Sequence, residues 1–345
     1  MKRSHLHTSM ANNFLLIGSG IAGLIQGLAL GSFGVFQDSQ VYYELYKIVG
    51  ALGIYDGTLV FLAETSKLEP VIVLLFSIES ILSGGLLSEY WFLILNIVIL
   101  NLLVSSVMLA LINNKYENAL FMFFVGFTVM SGYLAFSKLL YVWRSVLAFA
   151  FFILFIKATG WKRLLWMVMA CLTHVSFFIF ILLFKLIEIS SQFRKKYMFA
   201  AIGVSMLGSV FIVQNFPSIF DTFTSGGNAS VFFLEGGEHA INAWIAILFS
   251  MIVLLLVHHE YINEKSLKAL YLFCLITISA SLISYNSYQF MNRIILPASL
   301  VIGFLPFLIK ANTWSFKLAR ISVVFSVIPT IRLLYMLFSG DFSPG

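Results

Sequence analysis

Apolar positions run along this chain in long blocks, and polar positions are mostly the breaks between them. The blocks cover approximately 14–36, 70–87, 91–112, 119–137, 139–157, 164–184, 197–214, 242–257, 267–285, 292–309 and 316–338. A helix crosses a bilayer with about 17–25 such residues, and several blocks fall at the short end, so about 10–12 transmembrane helices are expected. Two stretches break the pattern and are read as polar external loops. One is 37–69, with Asp38, Glu44, Asp56, Glu64 and Glu69; the other is 215–241, with GGNAS and EGGEH. No repeat, heptad pattern or long linker divides the chain. The pattern predicts an all-α, polytopic membrane protein, with residues 1–345 as a single transmembrane helical domain.

The first block raises an alternative. In FLLIGSGIAGLIQGLALGSFG, Gly18, Gly20 and Gly23 spell G-x-G-x-x-G, and Glu44 follows at the distance of a ribose-binding acid. A dinucleotide-binding turn belongs inside a βαβ unit, and nothing after Gly34 reads as a crossover and second strand. Gly23, Gly27 and Gly31 instead recur every fourth residue, on the face where small residues let a second helix come close. The stretch is read as a membrane helix. It exceeds the h-region of a signal peptide, and no clear small-residue cleavage site follows it.

Composition reinforces the membrane reading. Hydrophobic residues make up 60% of the 345 and charged residues 10%, against roughly 25% charged in soluble domains. The net charge of +6 sits in loop clusters such as Lys162-Arg163 and Arg194-Lys195-Lys196, which suits cytoplasmic loops and does not suggest nucleic acid. Cys171 and Cys274 lie in apolar runs and read as small core residues. A basic start, MKRSHLH, argues for a cytoplasmic N-terminus and places 37–69 outside. Single passes then leave the basic turn KATGWKR (157–163) on the wrong side. A helix broken near Thr173-His174 would return both later basic clusters to the cytoplasm.

Three ionisable residues lie in or against apolar runs: Arg144, His174 and Arg293. Arginine at mid-membrane costs about 2.5–3.5 kcal/mol on insertion scales, so such residues usually face a cavity and carry function. Each also has a structural reading: a snorkelling arginine near Lys138, a neutral core histidine, an interfacial anchor near Tyr288. Together, in so uncharged a chain, they point to one polar cavity. Guanidinium forks suit phosphate or pyrophosphate, and a histidine suits the proton of a sugar hydroxyl. No D-x-D, H-E-x-x-H or Gly-x-Ser-x-Gly occurs, and His258-His259-Glu260 reads as an interfacial helix end, so neither metal nor cofactor is expected.

Longer motifs carry a family resemblance. DSQVYY (38–43) followed by KLEP (67–70) at a helix start resembles the D-x-x-x-Y and later Glu of the EpsG-like, Wzy-type polysaccharide polymerases. WRSVLAFAFFILFIKATGWKRLLWMVMACLTHVSFFIF is similar to that family's arginine, small-residue helix, basic turn and histidine, with Arg144, Lys157 to Arg163, and His174 with Ser176 in those places. Asn292-Arg293 fits its downstream arginine. Ser145 stands where glutamine is usual, and Gln37 where glycine usually precedes the Asp. The resemblance implies a GT-C-like helical bundle in a bacterial inner membrane. It implies an enzyme that joins oligosaccharide repeat units carried on undecaprenyl pyrophosphate, lengthening O-antigen or capsule. On that reading Arg144, Arg293 and His174 are catalytic, and Asp38, Tyr42, Glu69, Lys138, Tyr288 and Asn292 bind substrate. The implied partners are the lipid-linked donor and acceptor, membrane lipids and a chain-length regulator protein. The competing functions are a lipid-linked oligosaccharide flippase, an integral-membrane O-acetyltransferase and an O-antigen ligase.

Overall fold

The computed structural model describes residues 2–31, 34, 38–65, 70–112, 118–131, 142–174, 176–190, 250–254, 264–283 and 288–308, together with Val327, Ile331 and Tyr335. Every element among them is helical: α1 Lys2–Gly31, α2 Asp38–Leu52, α3 Ile54–Thr65, α4 Pro70–Ser83, α5 Glu89–Leu111, α6 Ala119–Ser131, α7 Trp143–Lys157, α8 Trp161–Thr173, α9 Phe177–Ser190, α10 Lys265–Ile283, α11 Tyr288–Ile302 and α12 Leu305–Leu308. Expected blocks 197–214 and most of 242–257 and 316–338 lie outside the described residues, as do the 215–241 loop, Arg194 to Lys196 and His258 to Glu260. The chain forms two compact units, one of residues 1–179 with 323–342, the other of 180–322 with 343–345.

In the first unit α1 packs against α5 and α6, and its glycines are the reason it can. A Cβ added at Gly27 would meet the Ile94 Cα at 2.7 Å, and one at Gly23 the Val98 Cα at 2.9 Å, so α5 lies directly on the Gly23-Gly27-Gly31 face. On another face Gly18 abuts the backbone of Phe123, and Gly126 of α6 abuts the Leu15 carbonyl. The G-x-G-x-x-G is therefore helical throughout, and its glycines serve helix approach. Between the three helices runs a line of polar contacts: Ser105 Oγ donates to Ser19 Oγ (2.7 Å), Asn101 Nδ2 to Gln26 Oε1 (2.9 Å), and Gln26 Nε2 to the Met130 carbonyl (2.7 Å). Interhelical bonds of this kind stabilise membrane bundles by about 0.6–1.7 kcal/mol each. Ile17, Ile21 and Leu24 form an exposed apolar stripe on α1, as do Trp91, Leu95 and Ile99 on α5. Among the described residues, Met10–Gly31 and Glu89–Leu111 are long and apolar enough to cross a bilayer, while Ile54–Ala63, Pro70–Ser83 and Ala119–Ser131 are shorter apolar helices.

The stretch expected as an open polar loop, 37–69, carries α2 and α3. Tyr42, Leu45, Tyr46 and Val49 are buried at the i, i+3, i+4, i+7 spacing of an amphipathic helix, with Glu44 and Lys47 exposed on another side. Gly53, at φ +82°, ends α2 and lets the chain turn back, so that Gly57 of α3 sits against Val49.

The second unit is built on α10 against α11, a helix that contains Pro297. Its core holds Leu270, Phe273, Cys274, Thr277 and Ile278, with Phe273 edge-on to Phe180 and Phe184. Tyr271 donates its hydroxyl to the Leu254 carbonyl at 3.0 Å.

Candidate functional site

The candidate site in the first unit starts from a turn. Gly84 and Gly85 (φ +62° and +67°) cap α4, with the Gly85 N–H donating to the Ser80 carbonyl at 2.8 Å, and the chain turns there towards α5. Helix α2 lies across this turn and is stitched to it. Tyr46 Oη accepts from the Leu87 N–H (2.8 Å), Tyr43 Oη donates to the Leu87 carbonyl (3.2 Å), and Ser80 Oγ donates to the Tyr46 carbonyl (2.7 Å). Lys47 Nζ reaches the Gly85 carbonyl at 3.3 Å. Tyr43 is pushed above the usual phenol range by burial first, then by the nearby Glu89 and Tyr46.

Below the turn the rings of these helices converge on Trp143. Tyr42 stacks on Phe76 at 4.9 Å between centroids, and Trp143 lies 5.8 Å from Phe92, 6.1 Å from Phe76 and 6.4 Å from Tyr42. Offset aromatic pairs add about 0.5–1.5 kcal/mol each beyond the area they bury. Trp143 is 2% exposed and opens α7, so this cluster fixes where α7 starts. Arg144 is the next residue, half-buried in the first turn of α7. The sequence suggested a mid-helix arginine; the structure puts it at a helix N-terminus, where unpaired backbone N–H groups and the helix dipole favour an anion. The residues of that turn include no acid.

His174 marks a real break. It caps α8 in extended conformation (φ −156°, ψ 113°), its N–H bonded to the Ala170 carbonyl and its carbonyl accepting from the Phe177 N–H at 2.9 Å. The expected interruption near Thr173-His174 is thus present, and the basic turn before α8 is present as well. Gly160 (φ +60°) separates α7 from α8, Lys157, Trp161 and Lys162 are exposed, and Arg163 lies over the Phe155 ring at 4.7 Å. Helix α8 packs on α7, with Phe151 stacked on Trp166 at 5.7 Å, and also touches α4.

Other sequence candidates fall differently. Tyr42 is 3% exposed and belongs to the Trp143 cluster, its ring against the first residue of α7, which Arg144 follows. Asp38 opens α2 one turn before Tyr42, and Pro70 opens α4 as KLEP suggested, although Glu69, Lys138 and the Asp38 side chain lie outside the described residues. Tyr288, Asn292 and Arg293 share α11 in the second unit, with Tyr288 and Asn292 one turn apart; their side chains are likewise outside the described set. Among the described residues no three His, Cys, Asp or Glu side chains are grouped as metal ligands would be.

The EpsG family model matches residues 20–343, which includes every one of these positions. The chain belongs to the EpsG family. Neither a curated protein nor a solved structure matches it. EpsG membership indicates a polysaccharide-polymerase-like function of the glycosyltransferase kind and, with the apolar helices, a membrane protein.

One feature of this EpsG chain escaped the sequence reading. Glu79 lies inside the apolar helix α4, and both its carboxylate oxygens accept from Asn96 Nδ2 of α5, at 3.0 and 3.1 Å. The signal was visible: an acid in PVIVLLFSIESILS is as anomalous as Arg144, with Asn96 and Asn101 in the next apolar block.

Proposed function

We propose that the chain is a Wzy-type O-antigen or capsule polymerase. It transfers a growing glycan from undecaprenyl pyrophosphate to the next lipid-linked repeat unit, at the outer face of a bacterial inner membrane and without a metal ion. The acceptor hydroxyl oxygen bonds to the anomeric carbon, the bond from that carbon to pyrophosphate breaks, and its electron pair leaves with undecaprenyl pyrophosphate. Arg144 and Arg293 hold the pyrophosphate and neutralise its growing charge. His174 takes the hydroxyl proton, a role generally worth about 10²–10⁴ in rate. Asp38, Tyr42, Glu69, Lys138, Tyr288 and Asn292 bind or support the sugars. Membrane lipids and a chain-length regulator complete the setting.

The observation that carries this reading is the placement of Arg144. It follows Trp143, which α2, α4 and α5 together hold in a buried aromatic cluster, at a helix start whose own first turn contains no acidic residue. A guanidinium on so fixed a base, at a helix N-terminus, suits an anion better than a wandering surface arginine does. The test is to express Arg144→Ala and Arg293→Lys in a deletion strain and resolve the polysaccharide by length. Arg144→Ala should leave single repeat units, and Arg293→Lys should shorten the chains. Parental chain lengths from both variants, at parental protein level, would remove the arginines from the mechanism.

A further inference from the structure

The Glu79–Asn96 pair stands next to the aromatic cluster that anchors Trp143 at the start of α7. Glu79 stands one turn after Phe76 on α4, Asn96 one turn after Phe92 on α5, and both phenylalanines pack on Trp143. Asn96 is 4% exposed and fixed by a further bond from Nδ2 to the Phe92 carbonyl at 3.0 Å. Its two amide hydrogens therefore serve an acceptor on its own helix as well as the carboxylate. A carboxylate offers about four lone-pair sites, so Glu79 keeps acceptor capacity that Asn96 cannot fill. No cation pairs with it among the described residues. Glu79 also sits at the edge of the buried face of α4, beside Ile72 (2% exposed) on one side and Leu82 (82%) on the other, and is itself half-buried. An acid held by an amide and open along one edge is suited to neutral hydroxyl donors, which bring no charge of their own to be desolvated.

We infer that Glu79 is a substrate-binding residue that accepts hydrogen bonds from sugar hydroxyls of the lipid-linked repeat unit, with Asn96 as the positioning residue that holds its carboxylate. The inference rests on the polymerase reading above and adds to it a recognition residue independent of the pyrophosphate. A purely structural role, in which the pair only joins α4 to α5, is the competing account.

The two accounts separate in full-length protein reconstituted with lipid-linked repeat units extracted from the deletion strain. Glu79→Gln keeps the size and a bond to Asn96 but loses the charge. Loss of a charged hydrogen-bond acceptor corresponds to roughly tenfold or more in binding, so KM for the repeat unit should rise at least about tenfold with kcat within about twofold. Glu79→Asp, which retains the charge on a shorter stem, should give an intermediate KM and guards against poor accumulation of the first variant. A parental KM from whichever variant accumulates, alongside an inactive Arg144→Ala, overturns the role of Glu79 and leaves the polymerase reading standing. Long chains from Arg144→Ala would remove that arginine from the mechanism, and a parental protein that extends no repeat unit would overturn the polymerase reading itself.

Discussion

Replacing Gly27 by alanine adds one methyl group to the seam between α1 and α5, and the structure says where it goes. The new Cβ would lie 2.7 Å from the Ile94 Cα and 3.2 Å from both its Cβ and Cγ1. Ordinary carbon contacts sit at about 3.5–4.0 Å, so the helices must part by roughly 1 Å. A gap of that size forfeits about a quarter to a half of the dispersion energy of every atom pair along the seam. The Asn101–Gln26 bond, 2.9 Å long, lies on the same interface and stretches with it. Overpacking of this kind costs about 1–3 kcal/mol. Against it stands the helix preference of alanine over glycine, about 1 kcal/mol. Gly20→Ala is the internal control, because its Cβ would meet only the movable Leu102 Cδ2 at 3.4 Å. In detergent melts Gly27→Ala should unfold below the parent by a few degrees, and Gly20→Ala should match or exceed it. Equal melting temperatures for the two variants would refute the close α1–α5 seam.

Trp143→Ala should destabilise by about 3–5 kcal/mol, since it empties the centre of a four-ring cluster. Trp143→Phe should cost far less, because the buried Nε1 has no hydrogen-bond partner to lose; the same melts rank the two. Asn101→Ala removes the donor to Gln26 Oε1 while leaving the Gln26 bond to Met130, and should lower stability by about 0.6–1.7 kcal/mol. A larger loss than Trp143→Ala would reverse the order of importance assigned to polar and aromatic packing.

Much of the first unit was legible in the sequence because its signals are local. The four-residue glycine spacing identified the α1 face that α5 covers, and the topological conflict between basic clusters located the break at His174. The helices of 37–69 were missed for a physical reason. Counting acidic residues reads that stretch as loop, whereas the period of Tyr42, Leu45, Tyr46 and Val49 reads it as an amphipathic helix. Glu79 was missed because a single acid hardly lowers the hydropathy of its block, and its partner Asn96 lies in another block. The cluster around Trp143 joins residues from four helices, and no short-range pattern encodes that meeting.

The interruption at His174 has an electrical consequence. Helix α8 is 13 residues, about 20 Å long, and cannot by itself cross a hydrocarbon layer of about 30 Å. Where such a break lies within a bilayer, its unwound backbone must touch water or protein, never acyl chains, and a wet notch there would thin the barrier against which a cell stores its ion gradients. The exposed Leu172 and Phe178 on either side of the break would then be the gasket that keeps a membrane enzyme from becoming a leak.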